Sequence, residues 1–303
     1  KVVLHSDSPQ GRRVLVTGLD GFTGRYVARE LESAGYTVVG LHAAGGGKVD
    51  LNDALAVRGA VEAVRADAVI HLAAIASVVH DDVRDIYTTN VIGTRNLLAA
   101  LAGAEVKPRI VVVASSANVY GNAALLPITE ATPPAPTNDY AVSKLAVEHI
   151  ARIWGKRLPI VIVRPFNYTG VGQSEYFLLP KIVNHFRRGD KVIRLGNIDV
   201  VRDFSDVRTI AYAYRRLMEL SPAGETINFC SGVGTSLISV LDIMAKLAGY
   251  EIQVESVPLH SRENEIKALY GSPTKLSELV VDYRQPDISE ILEWMYKAPP
   301  LVS

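Results

Sequence analysis

Arg13-Val14-Leu15-Val16-Thr17-Gly18-Leu19-Asp20-Gly21-Phe22-Thr23-Gly24 is the stretch whose reading decides the fold. Its first five residues read as a buried strand, and residues 24–34 as an amphipathic helix stopped by Gly35. Between strand and helix lies a Gly-x-x-Gly-x-x-Gly turn. Gly18 allows the tight turn, Gly21 lets backbone approach a pyrophosphate, and Gly24 permits close packing of helix on sheet. The amino end of such a helix offers N–H groups and a favourable dipole to an anion. A glycine-rich turn that binds nothing is the bland alternative, and the flanking strand and helix weigh against it.

Outward from this turn, apolar runs alternate with helix-like segments. Strands are expected at Thr37-Val38-Val39-Gly40-Leu41, at Ala68-Val69-Ile70-His71-Leu72, over 109–114 and at Ile160-Val161-Ile162-Val163. Helices are expected over 54–64, 85–101 and 141–154. Strands that are apolar throughout and separated by helices imply an α/β fold, a doubly wound parallel sheet of the Rossmann type. Beyond Pro165 the rhythm changes. Residues 167–174 read as a loop, 176–188 as a helix, and 192–200 as a hairpin around Gly196-Asn197. Helices over 206–220 and 236–248 flank a late strand over 226–230. The expected division is a dinucleotide-binding domain of residues 11–165 with about 204–231, and a smaller C-terminal α/β substrate domain interleaved from 166–203 and 232–303.

Composition narrows the function. At 303 residues and 48% hydrophobic, the chain has enough apolar material for one large domain or a domain with a smaller one attached. Its 32 basic residues balance 32 acidic ones, which argues against a broad electrostatic nucleic-acid surface. No apolar run is long enough to span a bilayer, and Lys1 to Gln10 lack the pattern of a secretory signal. The single cysteine, Cys230, excludes an internal disulfide and fits a reducing cytoplasm. No Cys/His cluster has metal-ligand spacing, so no metal site is expected. The expected protein is cytoplasmic and globular, with neither nucleic acid nor membrane as partner.

Two further segments carry chemistry. Residues 127–137 contain Pro127, Pro133, Pro134 and Pro136 and must form a surface loop. Directly after it, Tyr140-Ala141-Val142-Ser143-Lys144 opens a helix and places a phenol and an ammonium on one face. A nearby ammonium favours phenolate and lowers a tyrosine pKa, which suits an acid/base acting near neutrality. The fourth strand ends in Ser115-Ser116-Ala117-Asn118-Val119-Tyr120-Gly121, with hydroxyls where ligands bind in open α/β sheets. A lone Tyr-x-x-x-Lys is usually surface decoration; its conjunction with the glycine turn and the serine strand end is specific. The end of the second strand, Val39-Gly40-Leu41-His42-Ala43-Ala44, lacks the acid that holds the ribose of NAD. Arg25, His42 and Lys48 are the nearest cations for a 2′-phosphate, which tilts the expectation from NAD(H) towards NADP(H).

Residues 17–24, His71-Leu72-Ala73-Ala74, residues 115–121, Tyr140 to Lys144 and Arg164-Pro165-Phe166-Asn167 together resemble the extended short-chain dehydrogenase/reductases of the NAD-dependent epimerase/dehydratase type, which modify nucleotide sugars. The likeness runs from about Arg13 to Leu276. Residues 164–173 and 195–204 are similar to the GDP-mannose branch, above all to the enzymes that reduce GDP-4-keto-6-deoxy-mannose to GDP-D-rhamnose. The resemblance implies Tyr140 as acid/base, Lys144 as holder of the nicotinamide ribose, and Ser116 as hydrogen-bond partner of the sugar C4 oxygen. It places Gly18, Asp20, Gly21, Phe22, Thr23, Gly24, His42, Asp50, Leu51, Leu72, Ala73, Ala74, Asn90, Ser115, Pro165 and Asn167, with Tyr140 and Lys144, around NAD(P). Asn118, Asn167, Lys181, Asn197, Arg202 and Arg262 join Ser116 in the nucleotide-sugar pocket. Arg202 and Arg262 suit forked contacts to a diphosphate, against the alternatives of ion pairs with Asp203 or Asp206 and with Glu263 or Glu265.

A 4,6-dehydratase of this kind carries an acid two residues after the catalytic hydroxyl, where this chain has Asn118; an amide cannot take up and return a proton. The expected reaction is therefore reduction of a C4 ketone on a GDP-linked 6-deoxyhexose. A nucleotide-sugar 4-epimerase or GDP-mannose 4,6-dehydratase is the enzymatic alternative, and an NAD(P)-binding regulator the non-enzymatic one. Tyr168 stands where those relatives carry His, and the tail Leu279-Val280-Val281-Asp282-Tyr283-Arg284-Gln285-Pro286 lacks their Gly-Trp pair. The resemblance also implies a homodimer formed through the helices of 85–101 and 141–154.

Overall fold

The computed structural model describes residues 12–75, 82–257 and 265–299. The chain runs β1 (Arg13–Thr17), α1 (Phe22–Ser33), β2 (Thr37–Val39), α2 (Ala54–Val64), β3 (Ala68–His71), α3 (Val83–Tyr87), α4 (Gly93–Gly103), β4 (Val111–Ala114), α5 (Asp139–Trp154) and β5 (Ile160–Pro165). It continues through β6 (Asn167–Thr169), α6 (Leu178–Arg188), β7 (Val192–Leu195), β8 (Val201–Asp206), α7 (Val207–Leu220) and β9 (Thr226–Phe229). The last elements are β10 (Gly234–Ser236), α8 (Leu237–Ala248), β11 (Gln253–Ser256), β12 (Ala268–Leu269), α9 (Thr274–Leu279) and α10 (Ile288–Lys297).

Among the described residues, six strands form a sheet in the order β2-β1-β3-β4-β5-β9. β1 pairs in parallel with both β2 and β3, with Leu15 opposite Val39 on one side and Val69 on the other. The chain thus reverses direction across the sheet at β1, the topological switch point where open α/β sheets bind ligands. This is a Rossmann-type fold with an additional C-terminal α/β subdomain.

The contacts divide the chain into two units. The first comprises Lys1–Ala114, Ala146–Ile162 and Tyr214–Glu225. Leu15 and Val69 pack there against Val57 and Val61 of α2, Leu97 and Leu101 of α4, and Val147 of α5. Each such buried aliphatic side chain contributes on the order of 1.5–3 kcal/mol. The Asp53 carboxylate caps α2 by accepting from the N–H groups of Leu55 and Ala56.

The second unit comprises Ser115–Leu145, Val163–Ala213 and Thr226–Ser303. β8 is its hub, antiparallel to β10 and parallel to β12 and β6. Leu179, Ile182, Val183 and Phe186 of α6 pack with Val240 and Met244 of α8 and Ile291 and Leu292 of α10. A smaller core gathers Val119, Tyr120, Ile128, Phe166, Cys230 and Leu269.

Several local expectations need correction. Residues 192–200 do not form a hairpin: β7 pairs in parallel with β11, whereas β8 belongs to another sheet, so Gly196-Asn197 links two sheets. Residues 167–169 are a strand, because β6 finds a parallel partner in Phe204 to Asp206 of β8. The helix expected over 85–101 is α3 and α4 joined by a π-helical turn at Thr88–Ile92. β2 ends at Val39, two residues early, and α1 begins at Phe22, two residues early.

Candidate active site

In the first unit, the glycine turn has the shape a pyrophosphate needs. Gly18 sits at φ 78°, which favours glycine, and a β-carbon there would lie 3.0 Å from the Ala73 backbone nitrogen. The Gly21 N–H donates to the Gly18 carbonyl at 3.0 Å, closing the turn. A β-carbon on Gly24 would lie 2.1 Å from that same carbonyl oxygen, so only glycine allows α1 to approach. Gly21 is the N-cap of α1 and supplies no side-chain cap. Phe22 and Thr23 occupy the first turn of α1. These features fit a dinucleotide.

Thr17 and His71 brace this turn from below. The Leu72 and Ala73 N–H groups both donate to Thr17 Oγ1, at 3.1 Å each. With both acceptor sites used, Thr17 has its own proton for His71 Nδ1 at 2.7 Å. His71 Nε2 lies 2.8 Å from Thr94 Oγ1, tying β3 to α4. A polar residue after Ala68-Val69-Ile70 in a strand buried throughout was the available signal for His71.

Of the other residues expected around the cofactor, Asp20 forms a 2.5 Å ion pair with Lys48, and Arg25 Nη1 donates to the Asp20 carbonyl at 2.9 Å. Lys48 holds the Asp20 carboxyl below its ordinary pKa, with smaller contributions from His42 and Arg25. His42 bridges to Lys48 through backbone. The cations noted in the sequence thus gather around Asp20. Asp50 accepts from the Asn52 N–H, and the Leu51 carbonyl accepts from Asn96, fixing the loop before α2. Ala74 is half-buried just beyond Ala73. Asn90 is buried, and its side-chain amide bonds both the N–H and the carbonyl of Ile75. That bonding makes Asn90 a brace for the backbone after β3.

The second unit carries Tyr140, the residue expected to act as acid/base. The Ser116 hydroxyl hydrogen-bonds the Tyr140 phenol, and both residues are buried. Ser116 also caps a short 3-10 turn at Ala117–Tyr120 by accepting from the Asn118 N–H at 3.2 Å. Tyr140 and Lys144 lie one turn apart on α5, with the Lys144 ammonium 6.0 Å from the Tyr140 ring centre. Ser143 Oγ donates to the Tyr140 carbonyl at 2.7 Å, and the Ala141 N–H donates to Asn138 Oδ1 at 2.8 Å. Ser115 is buried beside Ser116, and its N–H donates to the Val163 carbonyl at 2.7 Å.

The expected lowering of the Tyr140 pKa by Lys144 is not what this environment produces. Burial pushes the phenol up to about 12, opposed by the Ser116 hydrogen bond and reinforced by Tyr168. Burial also pushes the Lys144 ammonium down to about 8. Burial is the leading cause of both shifts, because both groups sit away from water.

The described residues expected to hold the sugar nucleotide lie in the second unit. Pro165 ends β5, and Asn167 is exposed at the start of β6. Lys181 Nζ donates to the Arg194 carbonyl at 2.6 Å beside a 490 Å³ groove also lined by His185, Val192 and Glu255. Asn197 donates to Glu265 at 2.9 Å. Arg202 pairs with neither Asp203 nor Asp206. Its guanidinium donates to the carbonyls of Val201 and Ile266 at 2.9 and 2.7 Å. Asp203 instead accepts from Ser231, Gly232 and Gly271, and Asp206 pairs with Arg208. Arg262 lies outside the described residues.

A family model described as NAD dependent epimerase/dehydratase matches residues 14–230. Similar proteins include the GDP-6-deoxy-D-talose 4-dehydrogenase of Aggregatibacter actinomycetemcomitans, 34% identical over 94% of this chain and 97% of that protein. The GDP-6-deoxy-D-mannose reductase of Pseudomonas aeruginosa is 35% identical over 88% and 90%. UDP-glucose 4-epimerase 2 of Oryza sativa is 31% identical over 87% and 76%. Among solved structures, an epimerase-type protein of Burkholderia cenocepacia J2315 superposes with a TM-score of 0.89 at 49% identity, covering 95% of this chain and 98% of that one. RMD of Pseudomonas aeruginosa, complexed with NADPH, gives 0.83 at 30% identity over 94% and 96%. The UDP-glucose 4-epimerase of Thermus thermophilus, complexed with NAD, gives 0.82 at 27% over 94% and 97%.

Proposed function

The chain belongs to the NAD dependent epimerase/dehydratase family, and we propose that it is a nucleotide-sugar C4 oxidoreductase that works as a 4-epimerase. The observation that carries the chemistry is the buried Tyr140 phenol hydrogen-bonded to Ser116 on one side of α5, with Lys144 a turn away. Tyr140 takes the proton of the C4 hydroxyl as the C4–H bond breaks and the ketone forms; in the return step it gives that proton to the carbonyl oxygen. Ser116 hydrogen-bonds the same oxygen and stabilises charge developing on it. Bound NAD(P) supplies the acceptor and donor of the hydride. Gly18, Gly21, Gly24 and the amino end of α1 would hold its pyrophosphate, and Lys144 would orient its ribose.

The comparisons weigh towards this alternative over one-way reduction to GDP-D-rhamnose: UDP-glucose 4-epimerases are at least as numerous among the relatives as reductases. The reductive reading is kept for a specific reason. Two relatives at 34% and 35% identity bear names that specify GDP-6-deoxyhexoses. The Arg25, His42 and Lys48 cations around Asp20 also suit the 2′-phosphate of NADP(H). A dehydratase is disfavoured because Asn118 offers an amide and not an acid.

Cofactor stoichiometry separates the readings. With UDP-glucose or GDP-6-deoxy-D-talose, a 4-epimerase forms the C4 epimer, seen by NMR, with no net absorbance change at 340 nm. With GDP-4-keto-6-deoxy-mannose, a reductase consumes one NADPH per sugar reduced. Inertness towards GDP- and UDP-linked hexoses and their 4-ketones alike sinks both.

A further inference from the structure

The strand end and the proline-rich loop meet at one buried node that the proposed chemistry does not use. Tyr120 closes the 3-10 turn that Ser116 opens, and it is 1% exposed. Its hydroxyl accepts from Arg164 Nη1 at 2.9 Å and donates to Asn228 Oδ1 at 2.7 Å. The direction is forced, because a guanidinium has no acceptor and the phenol has one proton. Burial holds that phenol up at about 12 despite Arg164, so it remains a donor throughout the neutral range.

Asn228 carries the node onward. Its backbone N–H donates to Glu130 Oε1 at 2.8 Å, and its side-chain amide donates to the Ile128 carbonyl at 3.3 Å. Both acceptors lie in the segment that leads into α5 and Tyr140. The Ala135 N–H donates to the Val119 carbonyl at 2.9 Å, joining that segment to the 3-10 turn again. A 3-10 turn of this length has poor hydrogen-bond geometry of its own, so its direction depends on how its ends are held. One end is Ser116 and the other is Tyr120.

We propose that Tyr120, held between the buried Arg164 guanidinium and Asn228, is a positioning residue that sets the Ser116 hydroxyl against the Tyr140 phenol. The proposal rests on the assignment of Ser116 and Tyr140 to the reaction. Removing the Tyr120 hydroxyl takes away one partner from the Arg164 Nη1 group and from Asn228 Oδ1, a cost the turn relieves by shifting. A shift of about 1 Å in a reacting group is enough to lower the rate on the order of a hundredfold.

The test is a double-mutant cycle with Tyr120→Phe, Ser116→Ala and the pair, reading kcat, KM and the pH profile of the C4 reaction. Tyr120→Phe is expected to lower kcat about tenfold or more while KM moves less than about threefold. In the Ser116→Ala background it is expected to cost nothing further, and both single variants shift the pH profile in the same direction. Losses that multiply, or a lowered melting temperature with kcat and pH profile unchanged, overturn the proposal. Asn228→Ser, which keeps both Tyr120 and Arg164, enters the same cycle should Tyr120→Phe fail to fold. An unaffected Ser116→Ala enzyme overturns the catalytic assignment itself, a result distinct from failure of the node.

Discussion

The Tyr140 phenol and the Ser116 hydroxyl are hydrogen-bonded inside the second unit, and that bond opposes the burial that raises the Tyr140 pKa. Ser116 therefore acts directly on the Tyr140 phenol. Tyr140→Phe is expected to lower kcat by about 10²–10⁴-fold. Ser116→Ala is expected to cost about 10²–10³-fold. Steady-state rates with near-normal circular dichroism check both, and Tyr140→Phe retaining full activity would contradict the assignment.

The raised Tyr140 pKa fixes a direction for the pH dependence of the free enzyme. With the phenol held near 12, oxidation of a C4 hydroxyl needs a phenolate that is scarce at neutrality. Oxidation is expected to accelerate with pH, by up to about tenfold per unit, while reduction of a C4 ketone stays flat through the same range. Rates in each direction between neutral and alkaline pH check this. A plateau for oxidation already at neutrality would mean that other bound groups reset the phenol.

Lys144 links stability to function. Its ammonium is pushed from an ordinary 10.5 down to about 8, which corresponds to a folding cost of roughly 3 kcal/mol where it stays protonated. That cost is fully present below about pH 8 and disappears as pH rises to 10.5. Lys144→Met is expected to raise the melting temperature below pH 8 and to lose that advantage towards pH 10.5. Activity falls in the same variant. Destabilisation at pH 7 would contradict the account of the buried charge.

Lys48 and Arg25 separate the two nicotinamide cofactors. Lys48 is mostly exposed and its pair with Asp20 adds little to stability, so Lys48→Ala folds normally. If the cluster meets a 2′-phosphate, Lys48→Ala and Arg25→Ala raise the Kd for NADPH about tenfold each and leave that for NADH within about twofold. Equal effects on both cofactors would remove the preference for NADP(H).

Gly24→Ala tests the turn. The added carbon meets the Gly18 carbonyl at 2.1 Å, and backbone rather than a flexible side chain must move. Loss of measurable dinucleotide binding is expected, read by fluorescence titration, together with destabilisation of about 1–3 kcal/mol. Unchanged affinity would show that the turn does not approach the cofactor.

Much of this was legible because it is local. The strand at 13–17, the helix at 54–64 and the glycine turn follow from period and turn chemistry, and all three stand as expected. Tyr140 and Lys144 share a helix face for the same reason. What escaped depends on partners distant in sequence. The hairpin expected at 192–200 failed because β7 pairs with Gln253–Ser256, some sixty residues on. Asn90 bonds Ile75 across a stretch that carries no periodic pattern to announce the contact. The Tyr120–Arg164–Asn228 node unites residues up to 108 positions apart, and no spacing announces it. The direction of the Tyr140 shift was missed because helical spacing reveals the nearby ammonium and not the water excluded around both groups.

The most direct test of the central claim follows the hydrogen at C4. UDP-glucose or GDP-6-deoxy-D-talose is incubated with the enzyme and NAD(P) in D2O, and the C4 epimer is analysed by NMR. Hydride transfer to and from the cofactor, with Tyr140 handling only the oxygen-bound proton, predicts an epimer with no solvent deuterium at C4. Deuterium at C4, or an epimer formed equally well by Tyr140→Phe, would contradict it.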